Sequence, residues 1–250
     1  MNGLLEPLCY EAPMATWEIR REGDVAVLSL DDGKANALLV PEFNGLEKAL
    51  DDLEKSSALA VVLIGRTGFF SAGLNIKVLS TLPLEGKREL VGAMGSAVLK
   101  LFLFSKPVVA AVSGHALGGG AMFGFASDVR LFAQGAFRFG LNEVPIGMFV
   151  PSYAVELAAA ALPASRMTEM VVHGRVVTPD EALAMGIAES VHPPDQLLAA
   201  SVARAKVLSE ISGTGYATTK RLVRGAAADT ARAKIPTELG ALAQMLEGKK

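Results

Sequence analysis

The sequence feature that most constrains the fold is a glycine cluster that follows an apolar, β-branched run. Residues 108–112 (VVAAV) have the composition of a buried strand, and Gly118, Gly119 and Gly120 come shortly afterwards. Consecutive glycines let the backbone approach another group closely or adopt unusual dihedral angles. If a helix begins at Gly118 or Gly119, its first N–H groups lie at the positive end of the helix dipole and lack intrahelical acceptors. The pattern predicts a strand–helix turn that can bind an oxyanion, or a turn whose glycines serve only close packing.

Two common glycine-rich motifs do not fit this turn. The Lys-Ser/Thr ending of a phosphate-binding loop is missing from the sequence after Gly120. Neither Ser113 nor Ser127 stands in a G-x-S-x-G nucleophile elbow. The chemistry of the turn therefore has to come from its backbone and from residues elsewhere in the chain.

The periodicity of the chain predicts an α/β fold. Strands and helices alternate up to about Gly140, and mostly apolar strands indicate a parallel sheet covered by helices. After Pro151 the chain is mainly helical, and it is expected to pack on its own body or on neighbouring subunits. The predicted elements are the hairpin 17–30, helix from 41, strand 60–64, loop 69–76, helix 87–104, helices 153–161, 165–173 and 179–185, strand 188–191, and helices 194–209, 216–227 and 230–247.

The composition excludes several classes of protein. A formal net charge of −2 provides no electrostatic footprint for nucleic acid or an anionic membrane. The single cysteine, Cys9, excludes an intramolecular disulfide. No apolar run approaches the ~20 residues that span a bilayer, and residues 1–13 lack the features of a signal peptide. We therefore expect a cytoplasmic protein with no membrane or nucleic-acid partner.

Glu143 is the strongest candidate for acid–base chemistry. Its neighbours from Phe137 to Val150 are apolar apart from Arg138 and Asn142. A carboxylate desolvated in such surroundings has a raised pKa, which suits a proton shuttle. The alternative is a solvated glutamate at the edge of a loop.

A second small-residue segment, residues 69–75 (FFSAGLN), follows another predicted strand. Because parallel strand ends meet at the edge of a sheet where ligands bind, the N–H of Ala72 is expected to converge with that of Gly119. Two amides near one carboxylate would form a plausible site for a thioester enolate.

Other polar residues carry weaker signals. The histidines His115, His173 and His192 lack suitably spaced partners, and no H-E-x-x-H motif or carboxylate cluster predicts a metal. The basic residues 220, 221 and 224 are typical of a solvated helix face, with contact to a cofactor phosphate as the alternative.

Four segments together resemble the crotonase (enoyl-CoA hydratase/isomerase) superfamily. The similarity covers about residues 17–191 and rests on residues 69–76, 106–133, 137–148 and 173–191 in this order. The resemblance implies a spiral of β-β-α turns, with a core at 14–193 after an N-terminal extension at 1–13. It also implies that the helical region 194–250 associates into trimers, which often pair into hexamers.

The resemblance also implies an acyl-CoA thioester ligand, so that coenzyme A belongs to the substrate and no separate cofactor is expected. Ala72 and Gly119 fall at the two oxyanion-hole positions, and Glu143 at the position of a catalytic glutamate. Substrate-binding roles are implied for the residues of the CoA arm and acyl pocket: Ala35, Ala37, Ser71, Gly73, Leu74, Asn75, Met122 and Asn142.

One departure from the family pattern bears on the reaction. Hydratases of this family carry a first catalytic glutamate two residues after the triple glycine, where this chain has Met122. A thioether does not activate water, so the remaining Glu143 favours a 1,3-proton shift. The segment 139–151 is also similar to that of mitochondrial-type Δ3,Δ2-enoyl-CoA isomerases, and Asn75 replaces an aspartate common in the family.

The sequence therefore predicts a Δ3,Δ2-enoyl-CoA isomerase. One alternative is another reaction of this superfamily, such as hydration or thioester or C–C cleavage, and a second polar group in the pocket would favour it. The other is a non-catalytic acyl-CoA-binding protein, which would have Glu143 exposed or turned away.

Overall fold

The computed structural model describes residues 16–247 of the 250-residue chain. The N-terminal extension predicted at residues 1–13 lies outside the described residues, as does Cys9. Most predicted strands and helices are present within the described range, with the differences given below.

The strands form one large sheet and two small ones. Within residues 16–247, the large sheet has six strands in the order β1-β2-β4-β7-β9-β11, all parallel except β1, and the small sheets are β10-β8-β5 and β3-β6. The strands are β1 (Thr16–Glu22), β2 (Val25–Asp31), β3 (Ala37–Leu38), β4 (Ala60–Gly65), β5 (Gly68–Ser71), β6 (Gly73–Leu74), β7 (Val108–Val112), β8 (Gly114–Leu117), β9 (Val129–Ala133), β10 (Phe139–Gly140) and β11 (Ser190–His192).

The α-helices connect and cover these sheets. They are α1 (Val40–Lys55), α2 (Ile76–Thr81), α3 (Leu84–Phe102), α4 (Gly119–Ala126), α5 (Ser152–Ala161), α6 (Pro179–Ala184), α7 (Leu197–Ser209) and α8 (Thr214–Glu247). Shorter helical turns are present at Val144–Ile146, Ala164–Arg166 and Thr168–Val172.

Successive turns of the chain repeat one pattern. A strand of the large sheet is followed by a strand of the small sheet and then by a helix: β4-β5, β7-β8 and β9-β10 each contribute one such pair. The chain is therefore the predicted spiral of β-β-α turns. This winding brings the ends of β6, β8 and β10 close together, which is where the site forms.

Helices bury both faces of the large sheet, which is why its strands are almost continuously apolar. Along β2, Leu28 joins the main core beneath α1 and α3, while Val25 and Val27 face α7. This alternation follows the two-residue period of a strand. Helix α7, the first of the region 194–250, therefore packs on the sheet of its own chain.

The structure corrects three sequence-based predictions. The predicted loop 69–76 contains the strands β5 and β6, and the predicted helix 165–173 is a 3₁₀ turn followed by a π-helix. The helices predicted at 216–227 and 230–247 form the single helix α8. Asp229 and Thr230 do not end this helix, because the alanines before them favour helix and Asp229 pairs with Arg232 at 3.0 Å.

A buried ion-pair cluster attaches α8 to the core. The Asp128 carboxylate accepts hydrogen bonds from Lys220 Nζ at 2.8 Å and from the Val108 N–H at 2.7 Å, and it lies 3.0 Å from Arg224. Arg224 also donates to the Phe102 carbonyl. The sequence suggested a solvated helix face for these basic residues, and for Lys220 and Arg224 that prediction is wrong, because both contact Asp128.

None of the described helices is long and apolar enough to cross a membrane.

Candidate active site

The spiral forms a cavity of about 150 Å³ between α3, the glycine turn and the segment before α5. Its lining is mostly apolar, and its polar residues are Asn142, Glu143 and Tyr153. The lining residues are Ala72, Leu74, Ile76, Met94, Leu117, Gly118, Gly119, Met122, Asn142, Glu143, Ile146, Met148, Phe149, Pro151 and Tyr153.

The glycine turn begins the helix α4, as predicted. Gly118 has φ +52° and ψ −120°, which a residue with a side chain rarely adopts, and its carbonyl accepts the Met122 N–H at 3.1 Å. A Cβ atom placed on Gly120 would lie 1.9 Å from the Ser71 carbonyl oxygen. The glycines therefore serve both of the purposes considered: they allow close packing, and they place the first N–H groups of α4 at the cavity.

The segment 71–75 meets this turn at its backbone. Gly73 has φ +75°, and a Cβ atom on it would lie 2.6 Å from the Gly119 nitrogen. The backbone amides of the two segments are therefore brought together, as the sequence analysis expected for neighbouring strand ends.

The backbone N–H next to Gly119 is not that of Ala72, which the sequence predicted. The Ala72 N–H donates to the Ala35 carbonyl at 3.0 Å, so it is already engaged in the free protein. The Asn75 N–H donates to Leu38 on β3, and because successive N–H groups of a strand point to opposite sides, the Leu74 N–H points away from β3. The Leu74 nitrogen lies 3.6 Å from a Cβ atom built on Gly119. The structure thus replaces Ala72 by Leu74 as the amide next to Gly119.

Glu143 lies on the opposite side of the glycine turn. It directly precedes the 3₁₀ turn Val144–Ile146, and its carbonyl accepts the Met148 N–H at 2.9 Å, which fixes the backbone. A Cβ atom built on Gly118 would lie 3.2 Å from Glu143 Oε1. The carboxylate is thus held beside the amides of the turn.

The surroundings of Glu143 are those of a desolvated carboxylate. The residue is 8% exposed, and Oε2 has no hydrogen-bond partner among the residues that the structure describes. Burial raises its pKa to about 7 against the ordinary 4.5, although its own backbone N–H acts in the opposite direction. Glu143 is therefore not the solvated loop glutamate considered as the alternative.

Met122 faces the same cavity from α4. It is 1% exposed and belongs to the lining together with Glu143. Asn142 also lines the cavity, and its Oδ1 lies 3.5 Å from a Cβ atom built on Gly118. The position at which family hydratases carry their first glutamate thus presents a thioether to the site.

Five other residues implied for substrate binding, at positions 35, 37, 71, 73 and 75, do not line the cavity themselves. Ser71 Oγ donates to the Asn36 carbonyl at 2.7 Å and accepts the Gly73 N–H at 3.0 Å. Ala35 holds Ala72 as described, and Ala37 pairs with Gly73 between β3 and β6. Asn75 accepts the Val78 N–H at 3.2 Å and caps α2. These contacts fix the backbone around Leu74.

Sequence analysis missed two residues of the site region. Asn36 is fully buried with φ +51°, and its Nδ2 donates to the Leu30 carbonyl at 2.9 Å, which ties the loop to β2. An asparagine in a loop that also contains Asp-Asp-Gly is a signal for a positive φ, because asparagine tolerates the left-handed conformation. Tyr153 belongs to the lining of the cavity and has a buried hydroxyl, and its position within an apolar helix gives no sign of this.

No metal site is apparent within residues 16–247, since these residues contain no group of three or more His, Cys, Asp or Glu side chains that could hold an ion. The geometry itself brings three protein groups together. Two backbone amides can stabilise a developing oxyanion, and one carboxylate with a near-neutral pKa can accept and return a proton.

Known proteins resemble this chain in sequence and structure. A putative enoyl-CoA hydratase of Thermus thermophilus is 33% identical over 207 residues, 81% of each chain. A carnitinyl-CoA dehydratase of Salmonella arizonae is 32% identical over 82% of this chain and 79% of the relative.

Solved structures match over a larger share of the chain. An enoyl-CoA hydratase/isomerase family protein of Pseudomonas syringae has a TM-score of 0.85 and 30% identity over 90% of this chain and 97% of that one. An enoyl-CoA isomerase of Mycobacterium tuberculosis has a TM-score of 0.80 and 26% identity over 96% and 99%. Residues 20–250 match the model of the enoyl-CoA hydratase/isomerase family. With this match and the spiral fold, the chain belongs to the enoyl-CoA hydratase/isomerase family.

Proposed function

We propose that the protein is a Δ3,Δ2-enoyl-CoA isomerase in which Glu143 is the acid–base group. The observation that carries the proposal is that Glu143 is desolvated and unpaired in a cavity where Met122 stands in place of a second carboxylate. A similar solved structure is described as an enoyl-CoA isomerase, but another structure of the same protein is described as a probable enoyl-CoA hydratase, so this similarity favours neither reaction. The substrate is accordingly a 3-enoyl-CoA thioester.

The proposed reaction moves one proton and one double bond. The thioester oxygen accepts hydrogen bonds from the N–H groups of Leu74 and Gly119. The Glu143 carboxylate removes a proton from C2, and the electron pair is delocalised over a dienolate that these N–H groups stabilise. The protonated Glu143 then returns the proton to C4, which leaves the double bond between C2 and C3. Atoms and charge balance without a further reactant.

The pKa of Glu143 suits both steps. With a pKa of about 7 the carboxylate is populated at neutral pH, and its conjugate acid can still protonate C4. The mostly apolar lining around Met122 disfavours water as a competing nucleophile.

A second candidate is reversible hydration of a 2-enoyl-CoA. Two observations favour it: relatives are described as a hydratase and a dehydratase, and Asn142 is a second polar residue in the lining of the cavity. A binding protein without activity is less well supported, because that hypothesis expects Glu143 to be exposed or turned away, whereas it is buried in the cavity.

The region 194–250 is proposed to mediate assembly into a trimer or a dimer of trimers. Large apolar side chains on α7, in the turn after it and on α8 support this proposal, because they are exposed in the single chain. They are Val207, Ile211, Leu222 and Val223, between 56% and 79% exposed.

The experiment follows the purified protein with a 3-enoyl-CoA and records the absorbance of the conjugated 2-enoyl thioester, with hydration of a 2-enoyl-CoA measured in parallel. We expect isomerisation with little hydration. Glu143→Gln should lower its rate about 10³-fold, because the amide does not accept the proton, while thioester binding stays nearly unchanged.

Three other results would change the proposed function or the proposed role of Glu143. Dominant hydration would favour the second candidate. If Glu143→Gln abolished thioester binding as well, Glu143 would have a structural role. Thioester binding without either activity would leave the binding hypothesis or another reaction on an acyl-CoA, such as thioester or C–C cleavage.

A further inference from the structure

Gly174 lies directly against the turn that follows Glu143. It is buried and has φ +63°, a backbone conformation that residues with a side chain rarely adopt. A Cβ atom built on Gly174 would lie 2.3 Å from Pro145 Cδ and 2.7 Å from Pro145 Cγ. Carbon atoms in contact are about 3.5–4.0 Å apart, so a side chain at residue 174 fits only if the Pro145 ring moves.

Pro145 transmits this contact to Glu143 because the two residues belong to one short turn. Glu143 directly precedes the 3₁₀ turn Val144–Ile146, and its carbonyl accepts the N–H groups of Ile146 at 3.2 Å and Met148 at 2.9 Å. The proline ring fixes its own φ and stiffens the turn. A displacement of Pro145 therefore moves the backbone that carries the Glu143 side chain.

The chain around Gly174 is fixed on both sides, whereas the Pro145 ring is exposed. The Arg175 N–H donates to a carbonyl of the preceding π-helix at 3.2 Å. Val177 and Phe139 exchange two backbone hydrogen bonds of 2.9 Å, which tie this segment to β10. Because Pro145 is exposed to solvent, it is the side of the contact that can shift.

We propose that Gly174 is a positioning residue for Glu143: its lack of a side chain lets the Pro145 ring pack against it, and this contact determines where the turn after Glu143 lies. Gly174 contacts no substrate and transfers no proton. The inference rests on the proposed function, in which Glu143 is the acid–base group, and it applies equally to isomerisation and to hydration.

The first test compares Gly174→Ala with wild type in the isomerisation of a 3-enoyl-CoA. We expect kcat to fall about 100-fold, because a displacement of roughly 1 Å between reacting groups has an effect of this size. KM should change less than about threefold, because the two amides proposed to bind the thioester belong to other parts of the chain.

Gly186→Ala is the matched control variant. Gly186 also has a positive φ, +73°, but the atom nearest to a Cβ built on it is Pro163 Cγ at 3.8 Å, an ordinary contact. Both substitutions therefore strain the backbone in the same way, and only Gly174→Ala also displaces a neighbouring residue. Thermal unfolding should show a lower midpoint for both variants, whereas kcat should fall only in Gly174→Ala.

Pro145→Ala tests the same contact from its other side. It removes Cγ and Cδ of the ring, the two atoms nearest to a Cβ atom on Gly174. The double variant Gly174→Ala/Pro145→Ala should recover at least about tenfold of the kcat lost in Gly174→Ala, because the new methyl group then has room. Alone, Pro145→Ala should lower kcat about threefold, since the turn is less restrained, and this measurement remains valid if Gly174→Ala does not fold.

The titration of Glu143 provides a readout that needs no turnover. Its carboxyl-carbon NMR signal, assigned with Glu143→Gln, gives the pKa, which burial raises to about 7 in wild type. In Gly174→Ala this pKa should fall towards the ordinary 4.5, because the displaced carboxylate is less completely buried. Among the described residues that line the cavity, the other titratable group is Tyr153, whose phenol stays protonated because burial raises its pKa. Gly186→Ala should keep the wild-type pKa of Glu143.

Four results would overturn the proposal: an unchanged kcat or Glu143 pKa in Gly174→Ala, an equal loss of kcat in Gly186→Ala, no recovery in the double variant, or an unchanged kcat in Pro145→Ala. Failure of the proposed isomerisation gives a different result. Wild type would then not convert a 3-enoyl-CoA, yet the Glu143 pKa would still fall in Gly174→Ala and not in Gly186→Ala.

Discussion

Two buried carboxylates in this protein have opposite surroundings. Asp128, whose side chain is 12% exposed, bonds to Lys220, contacts Arg224 and accepts the Val108 N–H. Glu143 is 8% exposed and has no cation beside it within the described chain, and Oε2 has no hydrogen-bond partner. Pairing makes the first carboxylate a fixed part of the structure. The lack of pairing leaves the second able to gain and lose a proton near neutral pH.

The two carboxylates differ in whether neighbouring opposite charges offset the free-energy cost of burying them. In the anchor, the Asp128 carboxylate pairs with the two cations Lys220 and Arg224, so helix α8 is held to the core by charge as well as by apolar packing. In the cavity, the uncompensated charge of Glu143 is destabilising above its pKa, as expected of a residue kept for chemistry. The following predictions test this contrast.

The largest effect on stability is expected from Asp128→Ala. It leaves Lys220 and Arg224 buried without their partner, so the free energy of unfolding should fall by about 3–5 kcal/mol in urea titrations. The control is Asp52→Ala, which removes an exposed pair with Lys48, and it should leave the free energy of unfolding nearly unchanged because solvent screens the pair. Similar losses in the two variants would mean that the cluster does not anchor α8.

A somewhat smaller effect, of opposite sign, is expected from Glu143→Gln. The folded-state pKa of about 7 exceeds the ordinary 4.5, so the folded protein binds this proton more tightly and loses stability as the pH rises between these values. At about pH 8 the substitution should raise the free energy of unfolding by up to about 3 kcal/mol relative to its effect at about pH 4.5. Unfolding titrations at both pH values measure this.

The control for that experiment is Glu22→Gln, which changes an exposed carboxylate of β1. Its effect on stability, measured at the same two pH values, is the reference for the same substitution outside the cavity. A Glu143→Gln effect that differs between the two pH values no more than this reference would show that the cavity does not penalise the charge of Glu143.

The smallest effect concerns the pH dependence of the proposed isomerisation. Because the reaction needs the Glu143 carboxylate, kcat/KM should be level above about pH 7 and fall about tenfold for each pH unit below it. Rates measured between about pH 5.5 and pH 9 give this profile. An acid limb centred near pH 4.5 would contradict the desolvation of Glu143.

Much of the fold follows from local sequence patterns. The apolar run of β7, the helix α1 predicted from residue 41, and the glycine turn before α4 are each contained within a few consecutive residues, and the structure has all three. Glu143 was found in the same way, from the apolar residues around it. Local backbone preferences and the periodicity of apolar residues are sufficient for such predictions.

Local patterns were less informative where two conformations differ by little energy. The short strands β5 and β6 looked like a loop because they are brief and contain small residues. Helix α8 looked like two helices because Asp229 and Thr230 are weak helix formers, whereas an ion pair with Arg232 and packing against α3 and α5 keep it continuous.

By itself the sequence determined the alternating strands and helices, the glycine turn and the single carboxylate, while the β-β-α spiral was implied by the resemblance to a known family. Tertiary structure alone decided that Ala72 is engaged with Ala35 and Leu74 faces Gly119, that Lys220 meets Asp128 across 92 residues, and that Tyr153 and Glu143 line one cavity. The physical reason is that helix and strand patterns depend on neighbours along the chain. Hydrogen-bond and charge partners depend on distances in space that the winding of the chain creates.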